Sequence, residues 1–248
     1  MSEQKRDTNE LIIGRNPLME ALKSGRELNQ VFVARGERTG SIGKIISLAK
    51  QKGIPIKEVD AKKLDYMSGG GVHQGVAAFC AAHEYASLED IFEYAAQKGE
   101  PPFIIVCDSI EDPHNLGAII RTADAVGAHG VVVPKRRSAA LTGIVAKASA
   151  GAVEYVKVAR VTNLASALEE MKQRNVWLYC SDMDGTDYTQ VDYSGALALI
   201  IGSEGRGVSR LSKQLSDFTV SLPMKGKINS LNASVAAAVL MYEAAKSR

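Results

Sequence analysis

The stretch FIIVCDSIEDPHNLGAIIRTADAVGAHGVVVP, residues 103–134, decides the fold class. Phe103 to Cys107 is a continuous apolar run of strand length, the pattern of a strand buried on both faces. The polar turn EDPHN follows. Asn115 to Val126 has helical character and Gly127 stops it. Gly130 to Val133 is again a short apolar strand. Strand, helix and strand in this spacing imply a parallel pair joined by a crossover helix.

The same alternation continues downstream. Ala139 to Ala150 is expected as helix, Val153 to Val158 as strand, Asn163 to Arg174 as helix and Val176 to Cys180 as strand. Ala196 to Ile201 and Phe218 to Leu222 follow as strands, Val208 to Leu215 and Ser230 to Lys246 as helices. The reading is an α/β domain over residues 103–248, with a parallel sheet covered on both faces. In such sheets, sites form in loops beyond the carboxyl ends of the strands.

Upstream, a smaller α/β unit is expected over residues 1–85. Its helices are Asn16 to Lys23, capped by Asn16 with Pro17 first in the helix, then Ile42 to Gln51 and a short one from Asp60 to Met67. Its strands are Gln30 to Ala34, Ile54 to Val59 and Gly75 to Ala82. Residues 86–102, ASLEDIFEYAAQKGEPP, read as a linker with a short helix capped by Ser87. Gly99 and Pro101–Pro102 mark its end. It carries one Lys against four acids, so it is a poor partner for phosphate.

The 248 residues are 46% hydrophobic and 23% charged, with a net charge of +2, as in an ordinary globular protein. No apolar run reaches the roughly 18 residues of a membrane span. MSEQKRDTNE lacks the apolar core of a signal peptide. Cys80, Cys107 and Cys180 lie apart, each in or beside an apolar run, which suits reduced, buried thiols in the cytoplasm. With the four histidines (His73, His83, His114, His129) scattered, no metal site is expected.

Three polar segments carry candidate chemistry. In Asp108 to Gly127, Asn115 either fixes a turn for a ligand or merely caps a helix, and Arg121 either reaches a phosphate or is a solvated charge. The two are about 240° apart on a helix, so they converge only if Asn115 belongs to the turn. In IIGSEGRGVS (200–209), three glycines follow a strand, but the spacing fits neither the dinucleotide fingerprint nor the P-loop. Gly202 would let a backbone approach a ligand; Glu204 either lines a pocket or caps the next helix. In LPMKGKINSLNASVAAAVL (222–240), a basic loop leads to Ser230, Asn232 and Ser234 at the head of an Ala-rich helix. That helix is either tightly packed core or a ligand-contacting first turn whose flank forms a dimer seam.

Taken in order, NLGAIIRTADAVGA, IGSEGRGVS and LPMKGKINSLNASVAAAVLMYEA resemble the three signature motifs of the SpoU (TrmH) family of RNA 2'-O-methyltransferases. IIGRNPLMEALKSG and VHQGVAA resemble the substrate-binding domain of its RlmB-type branch, which modifies a guanosine of bacterial large-subunit ribosomal RNA. The resemblance implies a SPOUT-type α/β trefoil-knot catalytic domain behind a smaller, L30e-like RNA-binding domain, and a homodimer formed through the knotted domain. It implies S-adenosylmethionine as cofactor, its adenosine held at Gly202, Leu222 and Leu231. It implies a catalytic set of Arg121, Asn115, Glu204, Ser230 and Asn232. Because arginine stays protonated, the fitting role for Arg121 is to anchor a phosphate and stabilise the developing alkoxide. Candidates for RNA contact are Arg15, Lys62, Lys63, His73 and Gln74 in the first unit, and Lys135, Arg136 and Arg137 in the second. Rival readings are a transfer-RNA 2'-O-methyltransferase, an antibiotic-resistance methyltransferase of ribosomal RNA, and a non-catalytic ribosome-assembly factor.

Overall fold

A computed structural model describes residues 10–36 and 40–248. In chain order the regular elements begin with β1 (Glu10–Ile13), α1 (Arg15–Ser24), β2 (Leu28–Ala34), α2 (Ser41–Gln51), β3 (Ile56–Val59), α3 (Ala61–Met67) and β4 (Val76–Cys80). There follow α4 (Leu88–Lys98), β5 (Phe103–Asp108), α5 (Pro113–Ala125), β6 (Gly130–Pro134), α6 (Gly143–Ala148) and β7 (Lys157–Val161). The last are α7 (Leu164–Gln173), β8 (Trp177–Asp187), β9 (Leu197–Gly202), α8 (Arg210–Leu215), β10 (Phe218–Ser221) and α9 (Ala233–Ala245). No helix among the described residues is long and apolar enough to cross a membrane.

The chain forms two compact units. The first comprises the described residues up to Glu84 together with Leu141–Tyr155. Its four-stranded sheet has the order β1-β4-β2-β3, with β4 antiparallel to both neighbours and β2 parallel to β3. Helices α1 and α2 cover one face through Leu18, Leu22, Ile42 and Ile45. On α1 the cap is Gly14 at φ 99°, not Asn16, and Gly25 closes the helix in the left-handed conformation.

Residues 141–155 were expected within the second sheet's succession and instead join the first unit. Arg26 Nη1 donates to Glu154 Oε1 at 2.7 Å, and Arg26 Nη2 donates to Glu10 Oε2 at 3.2 Å and the Ala81 carbonyl at 2.8 Å. Gly143 lies so close to the Leu11 carbonyl that a Cβ would stand 2.1 Å from its oxygen. The expected strand at Val153 is a 3-10 turn, Ala152–Glu154, because Ala150 (φ 53°) and Gly151 (φ 94°) reverse the chain before it. The strand itself forms four residues later, at Lys157.

The second unit comprises Tyr85–Ala140 and Val156–Arg248. Its six strands are all parallel, in the order β10-β8-β9-β5-β6-β7. Ile104 and Val106 of β5 join Val132, Leu178 and Ile200 in one core layer. The alternate residues Phe103, Ile105 and Cys107 face the opposite side and are equally buried. There α5 packs on α9 and β6, and α9 on β9.

Residues 86–102, expected as a linker, are part of this unit. Leu88 and Ile91 of α4 are buried in the same core layer, and a Cβ on Gly130 would strike Ile91 at 2.5 Å. The helix is fixed by a capping box, in which Ser87 N–H donates to Asp90 Oδ2 and Asp90 N–H to Ser87 Oγ. Its acids occupy the solvent face, which is why the segment reads as linker-like by charge.

The strand order also fixes where a site can form. From β5 the chain moves outward through β6 to β7, then returns to place β9 on the other side of β5. The direction of winding therefore reverses between β5 and β9, whose ends pair at Asp108 and Gly202. A crevice at such a reversal is the common ligand position in open parallel sheets.

Candidate active site

The loops leaving β5 and β9 enclose a cleft of about 420 Å³. Ser109, Glu111 and Asp112 line it from one loop, Asn115 from the first turn of α5, and Ser203, Glu204, Arg206, Gly207 and Ser209 from the other loop. Arg137 reaches it from the turn after β6.

The β5 loop begins with Ser109 at φ 66° and enters α5 through Asp112, whose carboxylate accepts the His114 N–H at 3.0 Å. Asn115 thus lies inside the first turn of α5, buried, rather than at its cap. The β9 loop is a closed turn, with Ser203 and Gly207 exchanging backbone hydrogen bonds at 2.9 and 3.2 Å. Gly202 must be glycine for that closure, since a Cβ would stand 2.0 Å from the Gly207 carbonyl carbon. Asp108, buried at the end of β5, accepts the Ser209 N–H at 2.9 Å and ties the two loops together.

The centre of the site is one carboxylate shared by two amides. Asn115 Nδ2 donates to Glu204 Oε1 at 2.8 Å, and Asn232 Nδ2 donates to the same oxygen at 2.5 Å. Asn232 Nδ2 also lies 3.0 Å from Asn115 Oδ1. On its other side Asn232 Oδ1 caps α9, accepting from Ser234 N–H at 3.0 Å and Val235 N–H at 3.3 Å. Glu204 completes that cap through the Ala233 N–H at 3.4 Å. Three segments from far apart in sequence are fixed at one point; Glu204 lines the cleft, and the helix it helps to cap is α9, not the next helix α8, whose cap is Ser209.

The other expected residues fall elsewhere. Arg121 is exposed on α5 and does not line the cleft, as its angular separation from Asn115 requires. Ser230 and Leu231 are exposed in the loop before α9, outside the helix expected to contain them, and Leu222 is half-buried at the end of β10. Lys135 and Arg136 are exposed beside Arg137, which alone of the three lines the cleft. In the first unit, Arg15 and Gln74 are joined: Arg15 N–H donates to Gln74 Oε1 at 2.9 Å and Arg15 Nε to the Gln74 carbonyl at 2.8 Å. His73 Nδ1 accepts the Gly75 N–H at 2.9 Å, which leaves Nε2 to donate to Asp65 at 3.0 Å. Lys62 and Lys63 are exposed on α3.

Sequence reasoning missed Arg206, Asp108 and Ser209. Arg206 had a signal, a long cation held between two glycines of a turn. Asp108 had a weaker one, an acid closing an apolar strand. The three cysteines are free and buried. Burial, with the Asp108 carboxylate beside it, pushes the Cys107 thiol up to about 12, and burial raises Cys80 to about 11. Neither is a nucleophile at neutral pH.

The loop from Leu222 to Leu231 bears on cofactor fit. Met224, Ile228 and Leu231 are large apolar side chains left open to solvent at the carboxyl end of β10. Such side chains suit the apolar face of a purine.

Comparison with known proteins places these features. Residues 102–242 match the SpoU rRNA Methylase family, and residues 11–86 match the RNA 2'-O ribose methyltransferase substrate binding family. The TrmH-family protein YacO of Bacillus subtilis (strain 168), named as a tRNA/rRNA methyltransferase, is 52% identical over 100% of this chain and 98% of its own length. A crystal structure of an RNA 2'-O ribose methyltransferase superposes with a TM-score of 0.82 at 27% identity, covering 99% of this chain and 92% of that one. The SpoU methyltransferase AviRb from Streptomyces viridochromogenes, in complex with AdoMet, shares the fold with a TM-score of 0.80 at 24% identity, covering 100% of this chain and 94% of that one. Matched along its whole length by such a relative, and over residues 102–242 by the family itself, the chain belongs to the SpoU rRNA methylase family.

Proposed function

We propose that this protein transfers a methyl group from S-adenosylmethionine to the ribose 2'-hydroxyl of a guanosine in bacterial 23S ribosomal RNA, acting in the cytoplasm as a homodimer. The observation that carries this reading is the Asn115–Glu204–Asn232 junction, which binds the three motif segments at the strand reversal. The substrate-binding unit at residues 11–86 favours ribosomal RNA over transfer RNA, since the typical transfer-RNA enzyme of the family is built around the catalytic domain. Groove-lining Ala238, Val239 and Tyr242 on α9 support a seam between two copies. In this reading the segment leading into α9 passes through the family's trefoil knot.

Gly202, Leu222 and Leu231 would hold the cofactor's adenosine, and when bound the cofactor supplies an electrophilic methyl group on a positively charged sulfur. The chain's own residues must then align the hydroxyl and manage its proton. Glu204 holds Asn115 and Asn232 in fixed orientations, so α5 and α9 present their first turns to the cleft without rearrangement. Arg137 and Arg206 at its rim suit RNA phosphates. Arg121, set apart from the junction, keeps the role of phosphate anchor and alkoxide stabiliser, not of proton acceptor.

The test is a map of 2'-O-methyl positions in 23S ribosomal RNA and transfer RNA from a strain lacking the gene. Loss of one methyl at a 23S guanosine, restored by the wild-type gene, is expected. Loss from transfer RNA alone would move the reading to that substrate, and no loss anywhere would remove it.

A further inference from the structure

Helix α3 divides sharply into two faces. Leu64 is fully buried among Phe32, Ala34, Val59 and Ala77, with Met67 packed beside them. Tyr66 is 88% exposed, the most exposed of the large apolar side chains among the described residues. A phenol ring left in water contributes nothing to folding through burial, so its place on an ordered helix calls for another use.

The surroundings of Tyr66 are basic. Lys62 and Lys63 precede it by four and three residues, which puts all three on one side of the helix, and both lysines are exposed. The turn that follows passes through Gly69 (φ 59°) and Gly70 (φ 80°). Lys147, in the segment that completes this unit, brings its Nζ to 3.8 Å from where a Cβ on Gly71 would stand. The acid next to Tyr66, Asp65, is engaged by His73.

We propose that Tyr66 is a stacking platform for an unpaired base of the RNA substrate, with Lys62, Lys63 and Lys147 holding the phosphates on either side. The inference rests on the RNA-methyltransferase reading above and deepens it. An aromatic face stacks on any base, and ammonium groups bind phosphate as point charges, so the contact tolerates sequence and weakens with salt. Bases inside an A-form duplex are already stacked and out of reach, so the platform selects a loop or bulge.

The full-length protein, Tyr66→Ala and Tyr66→Phe are compared for binding to an oligoadenylate of about twelve nucleotides and to an RNA duplex of the same length. Methyl transfer to unmodified 23S ribosomal RNA is measured in parallel. Because Tyr66 contributes nothing to the core, thermal melting is expected to be the same for all three. Tyr66→Ala should bind oligoadenylate about tenfold more weakly and raise KM for ribosomal RNA, while Tyr66→Phe stays within about twofold of wild type. Cofactor affinity should not change. Equal oligoadenylate affinity and KM in Tyr66→Ala, or wild-type preference for the duplex, would overturn the platform alone. A wild-type protein that methylates no RNA would instead overturn the proposed function.

Discussion

Each unit contains a polar knot of side chains, and the two are built differently. In the second unit a single carboxylate, Glu204, receives two amides from two helices, and the residues around it come from strand ends and first turns. In the first unit Arg15 and Gln74 join the head of α1 to the loop before β4, and His73 and Asp65 join that loop to α3. Gln74 and Asp65 are exposed there. The first kind of junction fixes geometry to fractions of an ångström, as alignment of a reaction needs. The second positions a surface for a large, charged ligand and tolerates adjustment.

That contrast can be broken by substitution. The largest effect is expected from Gly202→Val, because the added atoms meet the Gly207 and Val208 backbone and the β9 turn cannot close. Calorimetry should show loss of S-adenosylmethionine binding, and unchanged affinity would remove Gly202 from the pocket. Arg121→Ala should abolish methylation while cofactor binding persists; near-normal turnover would return Arg121 to the ranks of solvated charges. Arg15→Ala should act only on RNA affinity, lowering it a few-fold and reducing the salt slope by about one. A fall in kcat there would erase the distinction between the two junctions.

A smaller effect separates the units by pH. His129 is fully buried in the second unit, where its Nδ1 accepts the Phe103 N–H at 2.9 Å and its Nε2 faces Glu100 at 3.0 Å. Burial pushes its pKa below the ordinary value, opposed by Glu100 and aided by Lys98 and Arg248. With the folded value depressed, the unfolded chain takes up the proton first as pH falls. Stability is therefore full above about pH 6.5 and declines as pH drops toward the folded value, by about 1.4 kcal/mol for each unit of depression. Chemical denaturation of wild type and His129→Gln across pH 5 to 8, roughly the range in which histidine titrates, should show this slope in wild type only.

Much of this was legible in the sequence where local pattern carries it. The apolar runs at Phe103, Gly130 and Leu197 and the helices between them follow from hydropathy and caps, and Asn115, Glu204 and Asn232 from three motifs in order. What hydropathy does not encode was missed. The outer half of β8, SDMDGTD, is almost wholly polar; it is a strand because β10 pairs with it and Gly185 lies against the Thr219 and Val220 backbone. Residues 141–155 joined the first unit through Arg26 and Glu20, more than a hundred residues away in the chain. Asn115 was expected to choose between helix and turn; it sits in the helix and reaches the site because its first turn points there.

In the proposed reaction the Glu204 junction aligns methyl transfer to RNA. The direct measurement is steady-state transfer from labelled S-adenosylmethionine to unmodified 23S ribosomal RNA by wild type and Glu204→Ala, with RNA and cofactor affinities measured separately. The expected result is a fall in kcat of about 100-fold with RNA affinity nearly unchanged, as loss of alignment dictates. A Glu204→Ala protein that turns over like wild type would remove the aligning role from the junction.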